Sequence, residues 1–178
     1  GVQTCALPIS KENQAVNGAQ TRDQVANVLR DSKALDQSMQ TLRDLVNNQN
    51  AIHSTSNYFN EDSTQKNTYD NAIDNGSTYI TGQHNPELNK STIDQTISQI
   101  NTAKNDLHGV QKLEQAQQQS INTINQMTGL NQAQKEQLNQ EIQQTQTRSE
   151  VHQVINKAQA LNDSMNTLRQ SITDENEV

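Results

Sequence analysis

Four histidines, one cysteine and a scatter of carboxylates are the side chains in this sequence that could do chemistry. His53, His84, His108 and His152 lie far apart along the chain. Two metal ligands on one helix face need a separation of three or four residues, as in HExxH, and no pair has it. They read as polar loop or helix-surface residues. Adjacent carboxylates such as Glu61-Asp62 suit the start of a helix, where the positive end of the dipole favours them. There is no GxSxG elbow, phosphate-cradling glycine loop or GxGxxG turn. No catalytic, cofactor-binding or metal-binding residue is assigned, no cofactor is expected, and the chain reads as a non-enzyme. The aromatic side chains are Tyr58, Phe59, Tyr69 and Tyr79. Sparse tyrosines at helical spacing read as core rather than as a ligand-stacking surface.

The one cysteine, Cys5, sits in Gly1–Ile9, GVQTCALPI, together with one of the two prolines. The segment has no helical pattern and does not resemble the rest of the chain. It is, however, the translation of GGA GTT CAG ACG TGT GCT CTT CCG ATC, a string that looks like a sequencing-library adapter. We therefore read residues 1–10 as a non-native, adapter-derived segment and leave Cys5 out of any thiol or disulfide chemistry. On this reading the native protein runs further upstream, and any targeting signal lies elsewhere in a longer parent.

Composition narrows the class. Hydrophobic residues are 30% of the 178, well below the ~45–50% of an ordinary globular protein. That supply suits thin bundles with one apolar stripe per helix. Asn plus Gln number 50 and Ser plus Thr 30, which fits either a disordered polar tract or the solvated faces of slender helices. Net charge is −7, with 13 basic residues scattered singly. Nucleic acid is thereby disfavoured as a partner, because it calls for clustered Lys and Arg. No apolar run approaches the ~20 residues of a membrane span.

Periodicity decides between disorder and helix. Thr21-Arg22-Asp23-Gln24-Val25 recurs as Thr147-Arg148-Ser149-Glu150-Val151, and the stretch from Ala34 to Arg43 recurs from Ala160 to Arg169. Both pairs are offset by 126, and 11 of 26 residues between positions 21 and 46 are identical to their copies. The chain therefore reads as about one and a third periods of a tandem array. Each copy carries one apolar stripe at steps of three and four. One runs Val25, Val28, Leu29, Leu35, Met39, Leu42, Val46. The other runs Val151, Val154, Ile155, Ala158, Leu161, Met165, Leu168, Ile172.

Between the copies, residues 47–62 read as a polar loop, with Tyr58 and Phe59 packing back on a bundle and Asp62 or Ser63 capping the next helix. That helix has the stripe Tyr69, Ala72, Ile73, Tyr79, Ile80, broken by Gly76 at a cost of ~1 kcal/mol relative to Ala. It ends in the turn from Thr81 to Pro86, with Gly82 at C′. A helix from about Asn89–Thr92 carries Ile93, Ile97, Ile100, Ala103 and Leu107 and stops at His108-Gly109. Leu113, Ala116, Ser120, Ile121, Ile124 and Met127 mark another. After the Thr128-Gly129 turn comes a shorter one on Leu130, Ala133, Leu138 and Ile142, broken at Thr145-Gln146-Thr147, where Thr147 or Ser149 would cap the second long helix.

These residues also resemble a known family. ALDQSMQTLRDLV, Tyr69-x-x-Ala72-Ile73, the Gln83-His84-Asn85-Pro86 turn and IDQTISQINTAKNDLHG make residues 34–109 similar to a FIVAR module. KLEQAQQQSINTINQMTGLNQAQKEQLNQEIQQTQTRSEVHQVINKAQALNDSM makes residues 110–172 similar to a GA module. Their alternation near a 126-residue period resembles the giant helical-repeat surface proteins of staphylococci, over residues 11–178. The resemblance implies display at a bacterial cell surface, anchored through regions outside this stretch. It also implies binding of extracellular matrix, notably fibronectin, and a role in cell-envelope integrity under osmotic stress, with no residue assigned to either.

The expected fold is all-α: tandem three-helix bundles joined by long shared helices into an elongated rod. The expected division is 11–31 as the end of a GA-like module, 32–109 as a FIVAR-like bundle, 110–160 as a GA-like bundle and 161–178 as the start of the next FIVAR-like module. The expected function is a non-enzymatic spacer and matrix-binding adhesin whose other partners are neighbouring repeats of the same chain. The alternative is a dedicated binding module, for albumin or wall carbohydrate. Albumin is disfavoured because residues 110–172 hold no aromatic anchor.

Overall fold

The long helix of the first copy shows how this polar chain takes on order. Thr21 precedes it in extended conformation, and its Oγ1 accepts from the Gln24 backbone N–H. The Gln24 side chain reaches back to the Thr21 N–H, completing a capping box that satisfies two otherwise orphaned donors. The helix then runs unbroken, and its Leu35, Ser38 and Leu42 are buried. The computed structural model describes residues 3–82 and 86–176, with the side chains of residues 3–9 left out.

Among the described residues every regular element is helical: α1 Gln3–Gly18, α2 Arg22–Asn47, α3 Gln49–His53, α4 Ser56–Phe59, α5 Ser63–Ile80, α6 Lys90–Asn105, α7 Gly109–Gln126, α8 Gln132–Gln144 and α9 Arg148–Asn176. At ~1.5 Å per residue, the 26-residue α2 and the 29-residue α9 are about 39 and 44 Å long.

The chain divides into two compact units. One comprises residues 1–54 and 62–107, the other 55–61 and 108–178. In the first unit α2, α5 and α6 pack pairwise as a three-helix bundle, and α1 lies against α2. Its core is Leu35, Leu42, Tyr69, Ile73, Ile93, Ile100, Ala103 and Leu107. Gly76, expected to cost helix stability, is buried. A Cβ there would stand 3.0 Å from both Leu42 Cδ1 and Ile100 Cδ1. The missing side chain is what lets three helices meet. Buried Ser38 donates to Asp94 Oδ1 at 2.7 Å, tying α2 to α6. α5 ends at Ile80 with Thr81 as its C-cap, and Gly82 follows with φ 73°, the conformation expected of a glycine closing a helix. Of the turn beyond it, Gln83, His84 and Asn85 lie outside the described residues. Asn89 caps α6 through the Ser91 N–H.

In the second unit α7, α8 and α9 pack pairwise, with α4 against α7. The core is Ile124, Met127, Leu130, Leu138, Ile142, Val151 and Ala158, flanked by Leu113, Ala116, Ile121, Val154, Ile155 and Leu161. Gln117 closes α8, its amide donating to the Ile142 and Thr145 carbonyls at 3.2 Å. Arg169 grips the α7–α8 turn, donating to the Thr128 carbonyl at 2.7 Å and the Gly129 carbonyl at 3.1 Å. The Glu150 N–H donates to Thr147 Oγ1 at 3.1 Å, so Thr147 caps α9 as expected.

Four expectations change. Residues 47–62 are not simply a loop, because they contain α3 and α4. Phe59 is 59% exposed rather than buried in a bundle, while Tyr58 is half-buried. His108-Gly109 does not merely end α6, because Gly109 is the first residue of α7. Residues 3–9, with no helical pattern of their own, continue α1 upstream.

Candidate functional site

The residues singled out for possible chemistry do not converge. His53 Nε2 lies 2.6 Å from Asp70 Oδ1, which pins α3 to α5, and its ring meets Tyr69 edge-on at 6.2 Å between centroids. Tyr69 is buried, and burial first, then the neighbouring Asp70 charge, pushes its phenol above the ordinary range. It is core, as its spacing implied. His152 is exposed on α9. Among the described residues no three His, Cys, Asp or Glu side chains are grouped to hold a metal. Two half-buried carboxylates are held below their ordinary range. The Lys90 side chain, then Ser38, does this for Asp94, and Lys157 above all does it for Glu141. Both pairs join surface positions.

The most elaborate polar site is one that periodicity did not reveal. Residues 55–61 form a strap lying across the N-terminal ends of α7 and α9, within the second unit. Thr55 starts it, its side chain accepting from the Tyr58 N–H as the cap of α4. Three strap side chains then reach the other helices. Asn57 Oδ1 accepts from the Val110 N–H at 3.2 Å. Asn60 Oδ1 accepts from the Arg148 N–H at 2.9 Å, and its amide donates to the Gln146 carbonyl at 3.1 Å. Glu61 Oε2 accepts from the His108 N–H at 2.6 Å, and Oε1 lies 3.0 Å from Lys112 Nζ. Arg148 also donates to the Asn60 carbonyl at 3.2 Å.

Asn60 and Glu61 are only 3% and 4% exposed. Burying a carboxylate is costly unless it is paired and hydrogen-bonded. Here Glu61 has an ammonium, a backbone donor and the positive end of α7. The donors taken up at His108, Val110 and Arg148 are among those a helix N-terminus leaves unsatisfied. Such a site holds segments together.

The GA module family model matches residues 9–38 and 110–164, and the FIVAR domain model matches residues 38–108. The chain belongs to the family of alternating GA and FIVAR repeats. It is 40% identical over 164 residues, 92% of its length, to the extracellular matrix-binding protein EbhA of Staphylococcus aureus strain N315. It has the same identity and coverage with the extracellular matrix-binding protein ebh of strain NCTC 8325. It spans only about 2% of the length of these curated relatives.

Among solved structures, the 756–1003 domain of Staphylococcus aureus EbhA superposes with a TM-score of 0.76 at 27% identity, over 84% of this chain and 62% of that one. A structure from work on Embp-mediated adherence of Staphylococcus epidermidis to fibronectin gives 0.55 at 29% identity, over 60% of this chain and 89% of that one. The helical GA–FIVAR fold expected from the resemblance is therefore the fold observed. No described helix is long and apolar enough to cross a membrane.

Proposed function

We propose that this chain is one stretch of a repeat array displayed at a bacterial surface, acting as a non-catalytic spacer and as a binder of extracellular matrix of the fibronectin type. Within the array, residues 11–31 end one GA-like module and 32–109 form a FIVAR-like module. Residues 110–160 form the next GA-like module, and 161–178 open another FIVAR-like one. A contribution to envelope integrity under osmotic stress would follow from such arrays. Anchoring falls to regions outside this stretch.

The observation that carries the reading is the fate of the repeated helix. In α2, Leu35 and Leu42 are buried in the first unit while Val25 and Leu29 are exposed. In α9 the pattern inverts. Val151, the copy of Val25, is buried, and Leu168, the copy of Leu42, is 53% exposed. One repeated helix thus serves a GA-like bundle with its first half and carries, in its second half, the residues that its copy gives to a FIVAR-like bundle. That is the connection an array needs.

The matrix-binding half is supported by the relatives, which are named for matrix binding, and by the Embp structure's connection with fibronectin. Immobilising the whole chain and flowing fibronectin, albumin and purified wall glycan over it tests the reading. Saturable fibronectin binding with none to albumin is expected. Binding of glycan or albumin in place of fibronectin would move the function to the dedicated-module alternative.

A further inference from the structure

We infer that the second unit's folding element is longer than the GA module, because it includes the strap Thr55–Glu61 from the middle of the FIVAR sequence. The family models divide the chain linearly, with the strap inside residues 38–108 and the GA module starting at 110. Packing divides it differently, grouping residues 55–61 with 108–178. The N-terminal ends of α7 and α9 form a receptor, and its occupant is this chain's own Asn57-x-x-Asn60-Glu61.

Three observations carry the assignment. The first is recognition chemistry. One seven-residue segment supplies acceptors to backbone donors on two different helices, at His108 and Val110 for α7 and at Arg148 for α9. Each would otherwise be an unsatisfied helix-terminal N–H. The second is burial. Glu61 is 4% exposed, and its carboxylate meets Lys112 and the His108 N–H there, so removing the strap would take these acceptors from the helix ends.

The third is Gly109. Its φ is not in the left-handed region, so no backbone strain calls for glycine. A Cβ at this position would collide with the carbonyl oxygens of Ser56 and Asn57. The glycine is there so that the strap can lie against the start of α7. At this one position the local and long-range effects of a substitution have opposite signs. Alanine is a better helix former than glycine, yet here it must push the strap away.

The test uses the whole chain and native-state hydrogen exchange read by mass spectrometry, which reports opening segment by segment. Asn60→Ala, Glu61→Gln and Gly109→Ala are each compared with the parent. In all three, peptides spanning 108–126 and 146–158 are expected to exchange at least tenfold faster, while α5 and α6 peptides keep their rates. Complete loss of protection in the second unit, with α5 and α6 still protected, is the same result at its limit. Gly109→Ala is the discriminating variant, since it deletes no hydrogen-bonding group. If it slows exchange in 108–126, the strap is not seated there and the inference fails. It fails equally if all three variants leave 108–126 and 146–158 unchanged, or if faster exchange falls on α5 and α6 as much as on the second unit.

Discussion

Leu42 and Leu168 are the same residue of the repeat, 126 positions apart, each within a shared Ser-Met-x-Thr-Leu-Arg stretch. Leu42 is fully buried and Leu168 is 53% exposed. Replacing each with alanine separates what the sequence specifies from what packing adds. At Leu42 the lost transfer energy is ~1.5–3 kcal/mol for a fully buried leucine, and a cavity term comes on top. Leucine-to-alanine changes in well-packed cores span about 2.7–5 kcal/mol, according to how far the site collapses. This site collapses poorly. Its neighbour across the bundle is Gly76, where a Cβ would already stand 3.0 Å from Leu42 Cδ1. The wall on that side is therefore helix backbone and cannot swing in.

A cost of about 4 kcal/mol results for Leu42→Ala, a large share of the ~5–15 kcal/mol a native domain holds. At Leu168 only about half the burial is there to lose and no cavity forms, so the cost is ~1 kcal/mol or less. Urea titration followed by residue-resolved NMR reads the two units separately. Leu42→Ala should lower the midpoint of α5 and α6 signals and leave those of α7 and α8 in place, and Leu168→Ala should shift neither by much. Equal costs at the two positions would refute the reasoning. Appending a following FIVAR-like module should then raise the Leu168→Ala cost toward that of Leu42→Ala.

Gly129→Ala should destabilise the second unit by ~2 kcal/mol or more in the same titration, because the added Cβ would lie 2.5 Å from the Asn162 carbonyl oxygen. Asp94 and Glu141 have folded pKa values held below their ordinary ones by Lys90 and Lys157. The stability they add is present at neutral pH and lost as pH falls below about 4, so Asp94→Asn with Glu141→Gln should flatten the acid limb of a melting-temperature profile. Deleting Gly1–Ile9 should change stability by less than ~1 kcal/mol by thermal melting; a larger loss would mean that the segment packs and is not a foreign scar. Albumin should bind the chain more weakly than about micromolar, or −8 kcal/mol, by calorimetry. Of the apolar side chains that could anchor it, Leu138, Ile142 and Val151 are buried in the bundle.

The helices are legible because each carries its own stripe. α6 and the residues just after it show it best: spacing alone picks out Ile93, Ile97, Ile100, Ala103 and Leu107, of which all but the half-buried Ile97 are buried. Turns are legible where a residue type is forced, as at Gly82 with its positive φ. What stays hidden depends on partners distant in sequence. Glu61 meets His108 and Lys112, 47 and 51 positions on, and Asn60 meets Arg148, 88 positions on. No periodicity records such pairs. The strap's polar composition reads as loop, and Gly109 reads as a helix stop when its role is to start α7 beneath the strap. Phe59 misleads for a related reason, because a lone aromatic in a polar stretch suggests an anchor, whereas the strap is held by its amide and carboxylate neighbours.

A chain with 30% hydrophobic residues folds here on one apolar stripe per helix, and α9 buries only the first half of its stripe. Along α9, Val151 and Ala158 with Val154, Ile155 and Leu161 serve the second unit. Leu161, Met165 and Leu168 repeat the positions that Leu35, Met39 and Leu42 hold in α2. At about 100° per residue, Asn162 and Arg169 lie roughly a quarter turn from that second stripe. They hold the Gly129 N–H and the Thr128 and Gly129 carbonyls. Polar contacts to a turn thus occupy one face of the helix while Leu168 and Ile172 leave an apolar face exposed. A thick core would need more apolar residues per unit length than this sequence has. Single stripes meeting in threes meet the need, and a strap of Asn and Glu side chains closes helix ends that so thin a core leaves uncovered.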